Sequence, residues 1–548
     1  MKIKKQATST SDGGTGRATR RVPVGTGASL DGKSPWWIAQ LRERERFAME
    51  LGGVDKVKRQ HERGRNTARE RINLLVDEGS WREIGMMTGA AEYDADGYLI
   101  RVTSSNVITG TAKVDGRSIV IVAEDFTVRG GSSEATSPEK WQYAERLALE
   151  YRLPLIRLVE TAGGSVNLLK QMSSTKIPGY RDWPFVEQMG VIPVVGVALG
   201  AAAGLGAMRV CASHLSIMTK DNSYVFAGGP AVVKAAIGED LTPHELGGSH
   251  VHAHGSGVVD NEVDDEAAAL QQVRCFLSYL PSSVSELPPV RESQDPSGRT
   301  EEALATVIPA SKRRGYDMRS ILRMVFDVDS LFETGRYNGT SAITVLARLN
   351  GRPVAVIAGD PLKVGGALTA DSAEKLIRFV DMADTFHLPM INFHEQPGTL
   401  VGSAAEAAGA VRKGLRLQMA IEQTRIPWAT VFVRRAYGLA GSAYAPLCRD
   451  VNWRVAWPSA HWGSIPIEGG VEAAYKRELA EAEDPTKLRN ELYEELSPIE
   501  NPFLTAERFG IQDVIDPRTT RHRLCEWTEL AYRLLPEQLG VASRTMRS

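Results

Sequence analysis

Four glycine-rich turns are the parts of this chain best suited to chemistry. Gly130-Gly131-Ser132, Gly163-Gly164, the Gly200-to-Gly206 cluster and Tyr437-Gly438-Leu439-Ala440 each stand where an apolar run gives way to a helical one. Backbone N–H groups at a helix opening lack an intrahelical partner and carry partial positive charge, so they hold an anionic oxygen without a side chain. Glycine there lets a ligand approach the main chain closely. Side chains offer less. No G-x-S-x-G elbow or H-E-x-x-H pattern occurs. The run His250-Val251-His252-Ala253-His254 reads as a strand with three imidazoles on one face, and His244 is the candidate fourth ligand. Its Gly/Ser-rich surroundings favour solvated or hydrogen-bonded histidines, so no metal is expected. Cys211, Cys275, Cys448 and Cys525 are scattered singly, which excludes a zinc ribbon, argues against a disulfide framework and suits a reducing cytosol.

What must position these turns is a unit that occurs twice. Gly130-Gly131-Ser132, Glu139-Lys140, Leu153-Pro154 and Ala162-Gly163 return as Gly365-Gly366-Ala367, Glu374-Lys375, Leu388-Pro389 and Pro397-Gly398, always 235 positions later. Each copy is long enough to bury its own core, so this is a duplicated domain and not a solenoid period. Within each copy, short apolar runs closed by glycine alternate with helical segments: VITGTAKVDG, SIVIVAEDFTVRGG, LPLIRLVETAGG and IPVVGVALG, then AITVLARLNG, PVAVIAGD, LPMINFHEQPG and IPWATVFVRRAYG. That alternation predicts βα units and an α/β fold. The expected layout is a flexible basic tail over 1–35, an N-terminal domain over 36–290, a Pro/Ser/Glu-rich linker over 291–312 and a C-terminal domain over 313–548. Residues 36–75 read as helical, with a charge-dense solvated face. The uncharged run 191–208 reads as a buried parallel strand feeding a tightly packed helix, because Pro193 opens a β-branched stretch that ends in Gly and Ala; no membrane segment is expected. The formal charge of −2 gives no support for nucleic-acid binding. A cytoplasmic protein is expected, or a mitochondrial-matrix one if residues 1–33 act as a transit peptide, although their glycines spoil an amphipathic helix.

Across about residues 52–535, in order, the segments GVDKVKRQHERGRNTARERINLLVDEGS, AEDFTVRGGS, GPAVVKAAIGEDLTPHELGGSHVHAHGSG, RRAYG, AWP and ENPFLTAERFGIQDVIDP resemble the carboxyltransferase (β) subunit of biotin-dependent acyl-CoA carboxylases, the propionyl-CoA and methylcrotonyl-CoA carboxylase group. The resemblance implies two tandem crotonase-like (ClpP/crotonase superfamily) domains. It implies a homo- or hetero-hexamer of β subunits, with sites where the N-domain of one protomer meets the C-domain of another. Its chemistry is transfer of CO2 from carboxybiotin to an acyl-CoA. The anionic ureido group left by CO2 itself removes the acyl proton, so the protein has to hold two oxyanions, one on biotin and one on the thioester enolate. By motif position, Gly163 and Gly164 carry the N-domain hole and Gly438, Leu439 and Ala440 the C-domain hole. Gly130, Gly131, Ser132, Gly204, Leu205 and Gly206 line the acyl-CoA side, and Gly398, Tyr437 and Ser442 the biotin or acyl pocket. Which hole serves which oxygen stays open.

Departures from the family bear on substrate. Propionyl-type relatives read Tyr-Gly-Gly-Ala-Tyr-Asp where this chain has Tyr437 to Ser442, and YGLAGSAYAP looks closer to the methylcrotonyl type. A larger or branched acyl group is expected. With no Met-Lys-Met site and no ATP-grasp-like region, the chain implies a separate biotin carboxylase using ATP and bicarbonate and a separate biotin carrier. The alternatives are a biotin-dependent acyl-CoA decarboxylase or transcarboxylase subunit, or a non-catalytic paralogue within a carboxylase complex.

Overall fold

The structure, a computed structural model, describes residues 35–133, 137–172, 182–312, 314–449, 451–544 and 546. The basic tail expected over 1–35 lies outside them except for its last residue.

The helical lead-in is three helices, Trp36–Met49, Val54–Glu62 and Ala68–Leu75, parted at Gly53 (φ 93°) and Gly64 (φ 69°), where right-handed helix cannot continue. Ten strands follow: β1 (Arg82–Ile84), β2 (Gly89–Tyr93), β3 (Leu99–Ser104), β4 (Val107–Val114), β5 (Arg117–Glu124), β6 (Leu155–Thr161), β7 (Val194–Ala203), β8 (Leu215–Thr219), β9 (Tyr224–Phe226) and β10 (Asn261–Val263). The second half supplies β11 (Phe332–Thr334), β12 (Ala342–Leu349), β13 (Arg352–Gly359), β14 (Met390–Gln396), β15 (Trp428–Tyr437), β16 (Trp453–Ala456), β17 (His461–Gly463) and β18 (Asp513–Val514).

Two sheets of eight strands result, ordered β1-β4-β5-β6-β7-β8-β10 and β11-β12-β13-β14-β15-β16-β18. In each, one short strand, β9 or β17, sits off that path against the end of the long strand β7 or β15. The duplication and the α/β class read from the sequence are therefore both present. β4, β5 and β6 recur as β12, β13 and β14 with their first residues 235 positions apart, while Val194 and Trp428, which open β7 and β15, are 234 apart. The outer strands β1 and β11 are 250 apart because the hairpin β2-β3 is inserted in the first half only.

Local geometry repeats with the same spacing. The antiparallel pairs β4-β5 and β12-β13 are joined by Asp115-Gly116 (φ 50° and 79°) and Asn350-Gly351 (φ 48° and 76°). These are the doubly left-handed two-residue turns that Asp-Gly and Asn-Gly favour. In both, the two turn amides donate to one carboxylate: Asp77 at 3.0 and 2.8 Å, Asp327 at 2.9 and 2.8 Å. From β5 and β13 onward the pairing is parallel, and the helices Pro138–Glu150 and Ala370–Thr385 cross over. Strands covered on both faces carry long apolar runs; nine of the ten residues of β7 are buried. That accounts for the uncharged 191–208 stretch, and no helix among the described residues is long and apolar enough to cross a membrane.

One hydrophobic cluster spans both sheets, beside a second that belongs to the second half alone. The helix Glu266–Tyr279, which precedes the expected linker, packs Phe276 and Tyr279 against Phe332 of β11, with ring centroids 6.1 and 6.4 Å apart. Nearby, Arg378 grips Asp260 at 3.0 and 3.2 Å, and the Asn261 Oδ1 accepts from the Gly335 N–H at 3.1 Å.

Candidate active site

In the first half three turns meet at Thr161, the last residue of β6. Its hydroxyl donates to the Gly131 carbonyl at 2.7 Å and accepts from the Gly163 N–H at 3.0 Å. The Ala162 N–H reaches the Gly130 carbonyl at 2.9 Å, and the Ser133 N–H the Gly163 carbonyl at 3.1 Å. Gly206 opens the third turn, and a Cβ there would stand 2.3 Å from the Thr161 methyl. Gly130-Gly131-Ser132, Gly163-Gly164 and Gly204-Leu205-Gly206 are thus one constellation. Gly131 is obligatory for two reasons: its φ is 62°, and a Cβ would lie 2.5 Å from the Glu160 carbonyl oxygen.

The second half repeats the arrangement with other residues. Gln396 stands where Thr161 does, and its Oε1 accepts from the Gly398 N–H at 3.1 Å. The Leu368 N–H donates to the Gly398 carbonyl at 3.0 Å, as Ser133 does to Gly163. Gly204 (φ 58°) and Gly438 (φ 61°) are equivalent, so Leu205 matches Leu439 and Gly206 matches Ala440. No side chain caps the helix openings Leu205–Cys211 and Gly438–Gly441. The first amides of such an opening have no intrahelical acceptor. Gly164 and Leu439 are exposed, Leu439 to 54%. Ser442 turns its hydroxyl back onto the Leu439 carbonyl at 2.7 Å. Tyr437 is only 2% exposed and points its hydroxyl inward, to Glu500.

Beneath each constellation lies a buried carboxylate at matched positions. Glu160 accepts from Arg71 at 2.6 Å, Gln60 at 2.7 Å and Arg65 at 3.1 Å, and its side chain is fully buried. Glu395 takes a hydrogen bond from the Tyr316 hydroxyl at 2.6 Å and pairs with Arg434 and Arg435. Burial and that carboxylate push the Tyr316 hydroxyl well above its usual range. A second repeated cluster joins Arg69 to Glu83 and Arg319 to Glu333, each at 2.6 Å. Beside these, burial lowers Lys140 and Lys375 to about 8.

A cleft of about 210 Å³ beside Gly130 is lined by Lys56, Arg59, Arg63 and Arg129, together with Gln60, Phe126 and Thr127. Lys56 and Arg59, on the charge-dense face expected to be solvated, are exposed, yet they edge a glycine turn. Nothing local reveals that, since Arg129 comes from a loop about 70 positions further on. A separate cavity of about 390 Å³ between the halves is lined by His214, Asp260, Lys375 and Arg378 among others, and by none of the turn residues.

The histidine run is not a strand. Residues His250–Ser256 form a wide helical turn, and each ring goes its own way. His250 stacks on His244 with centroids 4.6 Å apart, and His252 bonds the Val225 carbonyl at 2.6 Å. His254 stacks on Tyr337 at 4.4 Å and meets Glu262 at 3.1 Å. The glycines at 247, 248, 255 and 257 loosen the backbone into this turn and disfavour extended pairing.

Residues 59–537 match the carboxyl transferase domain family. The chain is 34% identical over 492 residues to the carboxyltransferase subunit of propionyl-CoA carboxylase from Haloferax mediterranei, covering 89% of this chain and 94% of that one. Among solved structures, the hexameric transcarboxylase 12S with methylmalonyl-CoA and methylmalonic acid bound superposes with a TM-score of 0.82 at 28% identity, covering 93% of this chain and 97% of that one. A single-chain, multi-domain long-chain acyl-CoA carboxylase gives a TM-score of 0.78 at 26% identity, over 92% of this chain and 51% of that one.

Proposed function

The chain belongs to the carboxyl transferase family, and from that premise we propose that it moves CO2 from carboxybiotin, borne on a separate carrier protein, onto an acyl-CoA, using main-chain amides as its catalytic groups. The observation that carries this reading is the pair of matched constellations. Each presents an uncapped helix opening beside a glycine turn, over a buried carboxylate that is fully engaged by its own partners. Such a surface stabilises developing negative charge and has no side chain poised to attack.

Carboxybiotin enters as a co-substrate that supplies CO2 and the base for the acyl proton. Everything else falls to this chain. In the first half, the Thr161 hydroxyl occupies the Gly163 N–H, so Gly163 shapes the turn and the exposed Gly164 offers the donor. Leu205 and Gly206 add the amides of the neighbouring opening. Lys56, Arg59, Arg63 and Arg129 suit the phosphates of coenzyme A, which supports an acyl-CoA bound along Gly130-Gly131-Ser132. In the second half Leu439 and Ala440 offer the corresponding amides, Gly398 forms the facing turn, and Ser442 borders it. Tyr437 acts from behind, because its ring is buried.

Assembly fits the same reading. In the second half Leu439, Val401 (82% exposed) and the stripe Val411, Leu415 and Met419, spaced by four along the helix Ala410–Glu422, are exposed apolar side chains. Apolar surface of that kind marks a protein contact. A second copy that brings its own first constellation to this face would complete a site with two holes, in a homo- or hetero-hexamer served by a biotin carboxylase that consumes ATP and bicarbonate.

One experiment tests the function. The purified chain is incubated with a carboxylated biotin carrier and a panel of acyl-CoAs, and products are read by mass. Carboxylated acyl-CoA is expected, with branched or larger acyl groups ahead of propionyl because Ser442 replaces the family aspartate. No carboxylated product from any member of the panel refutes the reading, and product only in reverse, from a carboxylated acyl-CoA, replaces it with the decarboxylase.

A further inference from the structure

The two constellations differ in what lies behind them. Gly204 follows Ala203, whereas Gly438 follows Tyr437, whose ring is buried to 2% exposure and whose hydroxyl enters a polar chain that an alanine side chain cannot join. The Tyr437 hydroxyl donates to the Glu500 carboxylate, and its oxygen lies 2.7 Å from His461 Nδ1. Glu500 is itself buried and takes a second bond from Lys312 Nζ at 2.8 Å. Proton count settles the roles. An ionised carboxylate only accepts, so the single hydroxyl proton goes to Glu500, and His461 Nδ1 must carry the proton of the second bond. Burial lowers His461 to about 4, which keeps the ring neutral, and burial together with Glu500 holds the tyrosine protonated.

The members of this chain come from distant places. Tyr437 is the residue immediately before the helix Gly438–Gly441, and His461 opens β17, which pairs with the end of β15. Glu500 ends a helical excursion, Ile467–Ala474, Lys476–Glu481 and Pro485–Leu496, that has its own small core around Val471, Leu479 and Leu492. Lys312 lies just before the second copy begins. At the position matching Tyr437 the first half has Ala203, whose methyl side chain carries no polar atom.

We infer that Tyr437, His461 and Glu500, closed by Lys312, form a strut that holds the Gly438–Ala440 amides at the angle carboxyl transfer requires, making Tyr437 and Glu500 positioning residues for the second constellation alone. The inference rests on the carboxyl-transfer reading and deepens it. The strut works because the tyrosine is adjacent to the amides: its ring fixes the entry of the turn, and the buried carboxylate fixes the ring. A displacement of about 1 Å in a catalytic donor costs on the order of 100-fold in rate, so the loss of one bond in the strut should be visible in kcat.

The test uses the assembled full-length protein with Tyr437→Phe, Glu500→Gln and, as a control, Arg489→Gln, which removes only an exposed ion pair within the excursion. Hydrogen exchange at the peptide containing Gly438–Ala440 is measured alongside carboxyl transfer. Tyr437→Phe is expected to speed exchange there at least about 10-fold and to lower kcat about 10- to 100-fold, with the acyl-CoA KM within about two-fold of wild type, since the strut aims donors and binds nothing. Glu500→Gln keeps an acceptor for the hydroxyl but loses the charge facing Lys312, and is expected to fall between wild type and Tyr437→Phe in both readouts. Unchanged exchange at this peptide in both variants overturns the strut, whatever the activity. Faster exchange with kcat unchanged overturns its role in catalysis. A wild-type protein that transfers no carboxyl group fails the parent reading instead, and the exchange result still decides whether the strut exists.

Discussion

Gly206→Ala is a severe perturbation that the chain itself shows how to cure. A Cβ at 206 would lie 2.3 Å from the Thr161 Cγ2 and 3.4 Å from the Val159 Cγ1. Thr161 is β-branched and cannot swing its methyl aside without moving its hydroxyl, and that hydroxyl holds both the Gly131 carbonyl and the Gly163 N–H. Overpacking of this kind costs about 1–3 kcal/mol, and two buried neutral hydrogen bonds roughly 1 kcal/mol each. The helix Leu205–Cys211 returns about 1 kcal/mol from the better propensity of alanine, because Gly206 has no left-handed φ to preserve. The net expectation is a loss of about 2–4 kcal/mol and, because Thr161 ties three turns together, a fall in kcat/KM of about 100-fold. In the second half the same position is Ala440, and there the facing residue is Gln396 instead of a β-branched one. Thr161→Ser removes the obstructing methyl and keeps the hydroxyl, so Thr161→Ser with Gly206→Ala should recover to within about 1.5 kcal/mol of wild type. Urea unfolding at fixed protomer concentration reads the stability, and carboxyl transfer from the loaded carrier reads the rate. If Gly206→Ala is as stable and active as wild type, or if the serine fails to rescue it, the picture of Thr161 as the joint of the three turns is wrong.

Glu160→Gln should destabilise by about 3–5 kcal/mol, because it leaves the fully buried Arg71 short of one of its two carboxylates; a thermal midpoint within a degree or two of wild type would contradict this. Acid sensitivity follows from three histidines that burial keeps neutral: His214, lowered to about 3, and His394 and His461, each to about 4. Their folded values lie below the unfolded one near 6.5, so the unfolded chain binds more protons in that window, and stability is complete above about pH 6.5 and falls toward pH 4. Each group contributes a slope of about 1.4 kcal/mol per pH unit while it titrates. Unfolding free energies at pH 7, 6, 5 and 4.5 check the sign, and a flat profile would exclude it.

Much of the architecture can be read directly from residue types. Asp115-Gly116 and Asn350-Gly351 are hairpin turns by composition, Gly130-Gly131 and Gly365-Gly366 are left-handed by necessity, and spacing alone links the copies. What escapes is whatever joins positions far apart in the chain. Thr161 and Gln396 are paired by the 235-residue spacing, but as chemically unlike residues they do not reveal by type that they do one job. Tyr437 meets Glu500 across 63 residues and a helical excursion. Lys56 and Arg59 become part of a cleft only once Arg129 arrives beside Gly130. The histidine run shows the opposite failure: alternation suggested a strand, but flanking glycines and separate partners for each ring won.

The helix Glu266–Tyr279 belongs to the first copy by chain order, yet its aromatic face is roofed by β11 of the second. Severing the chain near residue 290 would strip Phe276 and Tyr279 of their cover and leave Phe332 bare, so each half is expected to depend on the other despite their common pattern. Melting in a calorimeter should accordingly show one endotherm, and neither fragment expressed by itself should give a sharp transition.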